Sequence, residues 1–304
     1  MAFQRVGILS IGEMGYHWAR LLASHGVEVL TYTKGRSEVT RKRAENAGTR
    51  SVPSLARLVS ESDLVVAVVV PSAARRVAAN VVKALLKVGR RELLYLDANA
   101  TSPMTAREIE RYLSPASANF VDGCIIGSAA RIGQGTVIYV SGPQAARIQA
   151  LEESGFSVRV LGPEIAQASA FKVVYAGLTK GLQGLFVELL IGARKFGLLD
   201  EILQQYEESF PGLVGKVASS IAALPVHAGR RAEEMDELDR TFRHHGLKAV
   251  MAPATEKLLK GIAALNAGEA SETGERKGNL LETLELMFQK GLLQGKQRAL
   301  GSKD

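Results

Sequence analysis

The strongest constraint on the fold of this chain is an alternation. In the first half, short apolar runs rich in β-branched residues (VGILSI, VEVLTY, LVVAVVV, LLYLDA) take turns with helical stretches (HWARLLASHG, SEVTRKRAENAG, AARRVAANVVKALLKVG, TAREIERYLS). Runs apolar on both sides of the pleat suit a parallel sheet whose two faces are covered by helices. Each helical stretch ends at or near Gly, Ser or Pro, where a helix stops easily. FVDGCII, TVIYVSG and FSVRVLG continue the pattern, with PQAARIQALEE as one more helix. Right-handed crossovers turn such units into a doubly wound, Rossmann-like α/β sheet.

The texture changes after Leu161-Gly162-Pro163. From Glu164 onward there is helical periodicity and no strand pattern. The expected organisation is an α/β domain over residues 1–163 and an all-α domain over residues 164–304. Ile165–Phe196 reads as one long helix despite Gly177, Gly181 and Gly184, because small residues also permit close helix packing. Apolar on nearly every face, it is expected to be buried between domains or subunits. That apolar surface points to a two-fold homodimer built through residues beyond about 164. Further helices are expected around 200–209, 211–223, 229–246 and 252–266, then a polar linker, Gly268–Gly278, and the amphipathic LLETLELMFQKGLL.

Composition narrows the function. With 304 residues, 46% hydrophobic and 23% charged, the chain is long enough for two soluble domains. The net charge of +7 is scattered through mixed stretches such as RKRAEN and GRRAEEMDELDR. An anionic small ligand explains it at least as well as nucleic acid, and no nucleic-acid partner is expected. The lone Cys124 excludes an internal disulfide and a cysteine-cluster metal site, and fits a reducing compartment. No signal-peptide pattern and no apolar run approaching ~20 residues is present, so a cytoplasmic protein without a membrane span is expected. His244 and His245 are neighbours facing different ways on a helix, and no metal is expected.

The first apolar run ends in Ser10-Ile11-Gly12-Glu13-Met14-Gly15. A dinucleotide turn needs a tight bend, a backbone that approaches the pyrophosphate, and a helix N-terminus aimed at it. Gly12 and Gly15 stand at the second and third requirements, and Ser10 replaces the glycine of the bend. Two glycines after a strand are a weak signal alone, but their place at the head of a βαβ series favours a dinucleotide. The second run ends in Tyr32-Thr33-Lys34-Gly35-Arg36-Ser37. NAD favours an acid there; Thr33, Lys34, Arg36 and Ser37 instead suit a 2′-phosphate, so NADP is expected over NAD. A solvated surface loop is the plainer reading of the same residues.

The chain resembles the β-hydroxyacid dehydrogenase superfamily, which includes 6-phosphogluconate and 3-hydroxyisobutyrate dehydrogenases and imine reductases. The resemblance rests on Gly7 through Gly15, Val70-Pro71, Asp97-Ala98-Asn99-Ala100-Thr101-Ser102-Pro103 and Lys172 in a long helix. Gly35-Arg36-Ser37, Val121 through Gly127, Lys172-Val173-Val174-Tyr175-Ala176 and Glu233-Glu234-Met235 look like a branch with a C-terminal domain of unknown function. The resemblance implies NAD(P) between sheet and helical domain, Val70 and Pro71 beside the cofactor, and substrate against the long helix. This chain departs from the family's substrate motif: Asp122 through Ser128 puts Ile126 where a serine is usual, before Gly127 and Ser128. Tyr175 and Ala176 stand where an asparagine usually follows the lysine, and Glu233-Glu234 replace a later Lys-Asp pair.

Hydride transfer at an alcohol needs a group that takes or gives the hydroxyl proton. Lys172, an ammonium among Ala168, Ala170, Phe171, Val173 and Val174, is the candidate, since burial lowers a lysine pKa toward neutrality. Tyr175, three residues on, shares its helix face and could share the substrate oxygen. Lys180 could reach a substrate anion or simply snorkel to solvent. Asn99 is placed near the nicotinamide ribose, or is a turn-forming residue. Ser128 and Arg131 could bind a carboxylate or phosphate. His227, Arg230 and Arg231 could reach the active site from the helical domain, but read first as a solvated helix face. The leading expectation is an NADP-dependent oxidoreductase for a small polar, anionic hydroxy or oxo compound. The alternatives are an NADPH-dependent imine reductase and a non-catalytic NADPH-sensing protein.

Overall fold

The computed structural model describes residues 3–265 and 279–294, and the chain divides into two compact units, Met1–Lys172 and Val173–Asp304. The first unit is an eight-stranded sheet of β1 (Arg5–Leu9), β2 (Glu28–Thr31), β3 (Arg50–Ser51), β4 (Leu64–Ala67), β5 (Leu94–Asp97), β6 (Asn119–Ile126), β7 (Val137–Ser141) and β8 (Ser157–Gly162). The spatial order is β3-β2-β1-β4-β5-β6-β7-β8. The chain therefore starts mid-sheet, winds outward to β3, and returns to the other side of β1. The reversal between β1 and β4 opens a crevice beyond their carboxyl ends, the place where such sheets bind ligands.

Helices α1 (Glu13–Ser24), α2 (Glu38–Asn46), α3 (Leu55–Glu61), α4 (Ala74–Val88) and α5 (Pro103–Leu113) make the crossovers. Alternate residues of β4 go to opposite cores. Leu64 and Val66 join Trp18 and Leu22 of α1, while Val65 and Ala67 join Val81 and Leu85 of α4. A strand buried on both faces is apolar at every position.

Three features of the first unit depart from the sequence expectation. β7 runs antiparallel to β6 and pairs Asp122 with Ser141 and Ile126 with Val137. The segment Ala145–Ser154 is a 3-10 helix rather than an α-helix. β3 and α3 are additional elements; two residues of strand leave no periodicity to read.

In the second unit, the long helix α6 (Gln167–Phe196), which begins in the first unit, is followed by α7 (Leu199–Ser209), α8 (Leu213–Ala222), α9 (Leu224–His244), α10 (Met251–Ala264) and α11 (Leu280–Gln289). α9 begins earlier than expected because Pro225 fits its first turn. The linker Gly268–Gly278 lies outside the described residues. Phe186, Val187, Leu190 and Ile191 of α6 enter the core with Met235 of α9 and Leu259 of α10. A Cβ at Gly177 would sit 2.6 Å from Leu238, and one at Gly184 would sit 3.1 Å from Thr255. Those two glycines let helices approach. Contrary to expectation, α6 is long and apolar enough by length and composition to cross a membrane. Its buried face nevertheless packs as a core helix.

Candidate functional site

The turn after β1 explains its glycines atom by atom. Ser10 has φ of 89°, in the left-handed region that glycine occupies without steric cost. The serine achieves the bend by accepting that strain. A Cβ at Gly15 would lie 2.2 Å from the Ser10 carbonyl oxygen, so the helix can meet the strand end only with glycine there. Gly12 is the N-cap of α1 and has no side-chain cap; the nearest atom to a Cβ there is 4.0 Å away. Ile11 is buried and Met14 packs against the core, while Glu13 is exposed. The uncapped amides of this first turn suit a pyrophosphate.

After β2 the chain turns at Gly35, with Arg36 N–H donating to Thr33 O at 3.0 Å. Thr33 Oγ1 is 2.9 Å from Ser51 Oγ. Ser37 caps α2, its oxygen accepting from Thr40 N–H at 3.3 Å. Lys34 and Arg36 are exposed and have no salt-bridge partner among the described residues. Arg41 Nη1 donates to Arg36 O at 2.6 Å, adding a third cation that the sequence reading did not single out.

Beyond β4, Val70 is exposed and Pro71 opens a short 3-10 turn. Asn99, just past β5, is buried; its Oδ1 accepts from Val69 N–H at 2.6 Å. Its Nδ2 is buried and has no partner among the described residues, an orphaned donor on the edge where a nicotinamide ribose is expected. Uncapped amides, an open Gly12 and this donor together fit a dinucleotide. Asp97, at the end of β5, was not foreseen. It is 2% exposed, accepts from Asn99 N–H at 3.0 Å, and has its pKa pushed up to about 7, first by burial and then by Asp122. Its only sequence signal is an acid closing an apolar strand.

At β6 the buried Asp122 fastens the start of α6. Its Oδ1 accepts from Ser169 Oγ at 2.6 Å and its Oδ2 from Ser169 N–H at 2.9 Å and Ser141 Oγ at 3.1 Å. Ser141 Oγ in turn accepts from Ala168 N–H at 2.9 Å. Burial raises the Asp122 pKa against these bonds. One turn along, Lys172 Nζ donates to Ile125 O at 2.8 Å, and Phe171 stacks on Tyr139 at 4.3 Å. Cys124, between the two anchor points, is fully buried, and burial pushes its thiol up to about 12. Ile126 is half-buried, and Gly127 has φ of 132° with Thr136 Oγ1 only 2.2 Å from where a Cβ would stand. Ser128 and Arg131 are exposed.

The first unit thus brings residues 10–15, 33–37, 70–71, 99, 126–128 and Lys172 to one edge of the sheet, the carboxyl ends of β1, β2, β4, β5 and β6. Tyr175 and Lys180 belong to the second unit. Tyr175 is exposed, and Lys180 pairs with Glu234 at 2.7 Å. Arg231, expected on a solvated face, is buried, because α9 turns it toward Gln183 of α6. No His, Cys, Asp and Glu group suited to a metal occurs among the described residues.

Residues 5–155 match the NAD binding domain of 6-phosphogluconate dehydrogenase, and residues 193–262 match a domain of unknown function, DUF1932. An uncharacterized 28.5 kDa protein in the 7S RNA 5′ region of Methanothermus fervidus is 32% identical over 259 residues, covering 85% of this chain and 98% of the relative. A solved conserved protein of unknown function, described as similar to 3-hydroxyacid dehydrogenases, is 29% identical with a TM-score of 0.72, covering 86% of this chain and 97% of its own. The 3-hydroxyisobutyrate dehydrogenase of Mycobacterium tuberculosis, with L-serine, shares the fold at 17% identity and TM-score 0.72, over 87% of this chain and 94% of its own. An imine reductase variant from Myxococcus stipitatus, in complex with NAD+, does so at 19% and 0.60, over 94% and 100%.

Proposed function

The chain belongs to the family of NAD(P)-dependent dehydrogenases and reductases that join the NAD binding domain of 6-phosphogluconate dehydrogenase to DUF1932, and from that premise we propose that it is an NADP-dependent oxidoreductase whose proton donor or acceptor is Lys172. Its substrate is a small polar, anionic hydroxy or oxo compound. Residues 1–163 hold the nucleotide, and residues 164–304 serve substrate and subunit contact.

One observation carries this reading. The Lys172 ammonium is held on Ile125 O at 2.8 Å, on the sheet edge that also carries the Ser10–Gly15 turn. NADP supplies the hydride donor or acceptor at its nicotinamide. The amides of Gly12, Glu13 and Met14 hold the pyrophosphate, while Lys34 and Arg36, lacking carboxylate partners among the described residues, meet the 2′-phosphate. Bonding to Ile125 O fixes the Lys172 ammonium at the end of β6, where it is proposed to meet the substrate oxygen. There Lys172 gives a proton in reduction and takes one in oxidation. Tyr175, one turn further along the same helix, is proposed to meet that oxygen as well.

A panel of carbonyl compounds, with and without amines, tests the reaction by NADPH consumption. Turnover with small oxo acids is expected. Turnover only when amine and carbonyl are both present would replace this reading with imine reduction, and no turnover at all would favour an NADPH-sensing protein.

A homodimer through α6 is the proposed assembly. Val174, Leu178, Leu185, Leu189 and Phe196 are exposed along one stripe, with 174, 185 and 196 eleven residues apart, as are 178 and 189. Gly181 and Gly192 share that spacing and have nothing within 4 Å of a Cβ. An apolar stripe with small residues favours self-association. Light scattering is expected to give twice the 32.6 kDa chain mass; a stable monomer would end the proposal.

A further inference from the structure

The seam between α6 and α9 holds a charge that the protein leaves unanswered. Arg231 is 9% exposed. Its Nη1 donates to Gln183 Oε1 at 3.0 Å and to Ser220 O at 2.8 Å, both neutral acceptors. Its Nε and Nη2 have no hydrogen-bond partner among the described residues, and no carboxylate pairs with it there. Ser220 O lies in the last turn of α8, whose partial negative charge offsets only part of a full positive one. Gln183, also buried, spends its oxygen on Arg231, so its amide N–H groups have no acceptor among the described residues either.

The neighbours deepen the imbalance. Glu234, three residues beyond Arg231 on α9, is shared by Lys180 at 2.7 Å and Arg230 at 2.8 Å. Lys180, Arg230 and Arg231 against Glu234 leave two positive charges in excess. His227, one turn before Arg231, is half-buried; burial, then Arg231 and Arg230, hold its imidazole below the ordinary histidine range. A buried guanidinium without a counter-charge is costly. The seam is rich in donors and short of one acceptor.

We propose that this seam of the second unit binds a phosphate-type oxyanion carried by a small molecule, with the free edge of Arg231 as anchor and Gln183 and His227 as flanking donors. The Nε–H and Nη2–H pair matches two oxygens of such a group, and a dianion answers the local excess better than a carboxylate. The site is independent of the role given to Lys172.

Proton NMR of the full-length protein tests it through the His227 ring signal, identified by its loss in His227→Gln. Inorganic phosphate is added at constant ionic strength maintained with chloride. A saturable shift is expected, with the His227 pKa moving upward as the anion offsets the two arginines. Saturating NADPH should leave the response unchanged, which separates this site from the phosphates of the dinucleotide; acetate should respond more weakly. Gln183→Glu keeps an acceptor for Arg231 and supplies the missing negative charge. It is expected to raise Tm and to weaken phosphate binding about tenfold or more by like-charge repulsion. An imidazole signal unmoved by phosphate, a response abolished by NADPH, acetate equal to phosphate, or undiminished binding in Gln183→Glu would overturn the proposal.

Discussion

At the end of β2, Lys34 and Arg36 stand in solvent without carboxylate partners among the described residues. At the end of β6, on the same edge of the same sheet, Asp122 accepts from Ser169 and Ser141 while Lys172 rests on Ile125 O. The difference is one of cost. A solvated cation can be exchanged with little effect on folding, so cofactor preference at β2 is separable from stability. A buried network is not: what positions the proton at β6 also ties α6 to the sheet.

The largest test removes the amine. Lys172→Met is expected to lower kcat by ~10²–10⁴-fold while NADPH binding stays nearly intact, read from steady-state rates beside a fluorescence titration. Near-normal turnover would break the comparison by moving the proton role away from β6.

Asp97 and Asp122 are register partners on β5 and β6 and sharpen it. Asp97 titrates near 7 when folded, against an ordinary value of 3.8. As pH rises from 4, the unfolded chain releases this proton first, so stability falls until pH passes 7, by at most about 4 kcal/mol. Asp97→Asn should remove that loss, with no gain below pH 4 and the full gain above pH 7 in a Tm-versus-pH series. A pH-independent effect would show that Asp97 is ionised throughout. Asp122→Ala strands the donors of Ser169 and should cost about 3 kcal/mol in urea unfolding; an effect below the measurement error would remove Asp122 as an anchor.

At β2, Arg36→Ala should weaken NADPH about ten- to a hundredfold, leave NADH unchanged and leave Tm unmoved, since a charge-assisted contact contributes roughly 1.5–3 kcal/mol. Equal affinities of the unmutated protein for NADPH and NADH would refute the 2′-phosphate contact. The smallest effect belongs to Ser10→Gly. Releasing the left-handed strain should gain about 1 kcal/mol, partly cancelled by the freer unfolded chain; a lower urea midpoint would mean that the hydroxyl matters more than the strain.

These contrasts also show what the sequence could reveal. Parallel strands were legible because burial on both faces writes an unbroken apolar run, and the dinucleotide turn because Gly12 and Gly15 answer local steric demands. The antiparallel direction of β7 was not, since an apolar run carries no sign of direction. Asp122 meets Ser169 across 47 positions, and no spacing rule spans that. Arg231 looked solvated because RRAEE is polar as a string, while its burial depends on Gln183, 48 residues away.

Cys124 lends the molecule a clock. It is the only thiol in the chain, sits on β6 between Asp122 and Ile125, and is fully buried with its pKa held near 12. A thiol reagent can reach it only when the strand that holds α6 comes loose. Under native conditions, at reagent concentrations where labelling outpaces reclosing, its rate therefore counts openings of β6 without any engineered probe. If NADPH tightens this edge of the sheet, the count slows in proportion to the fraction of protein bound.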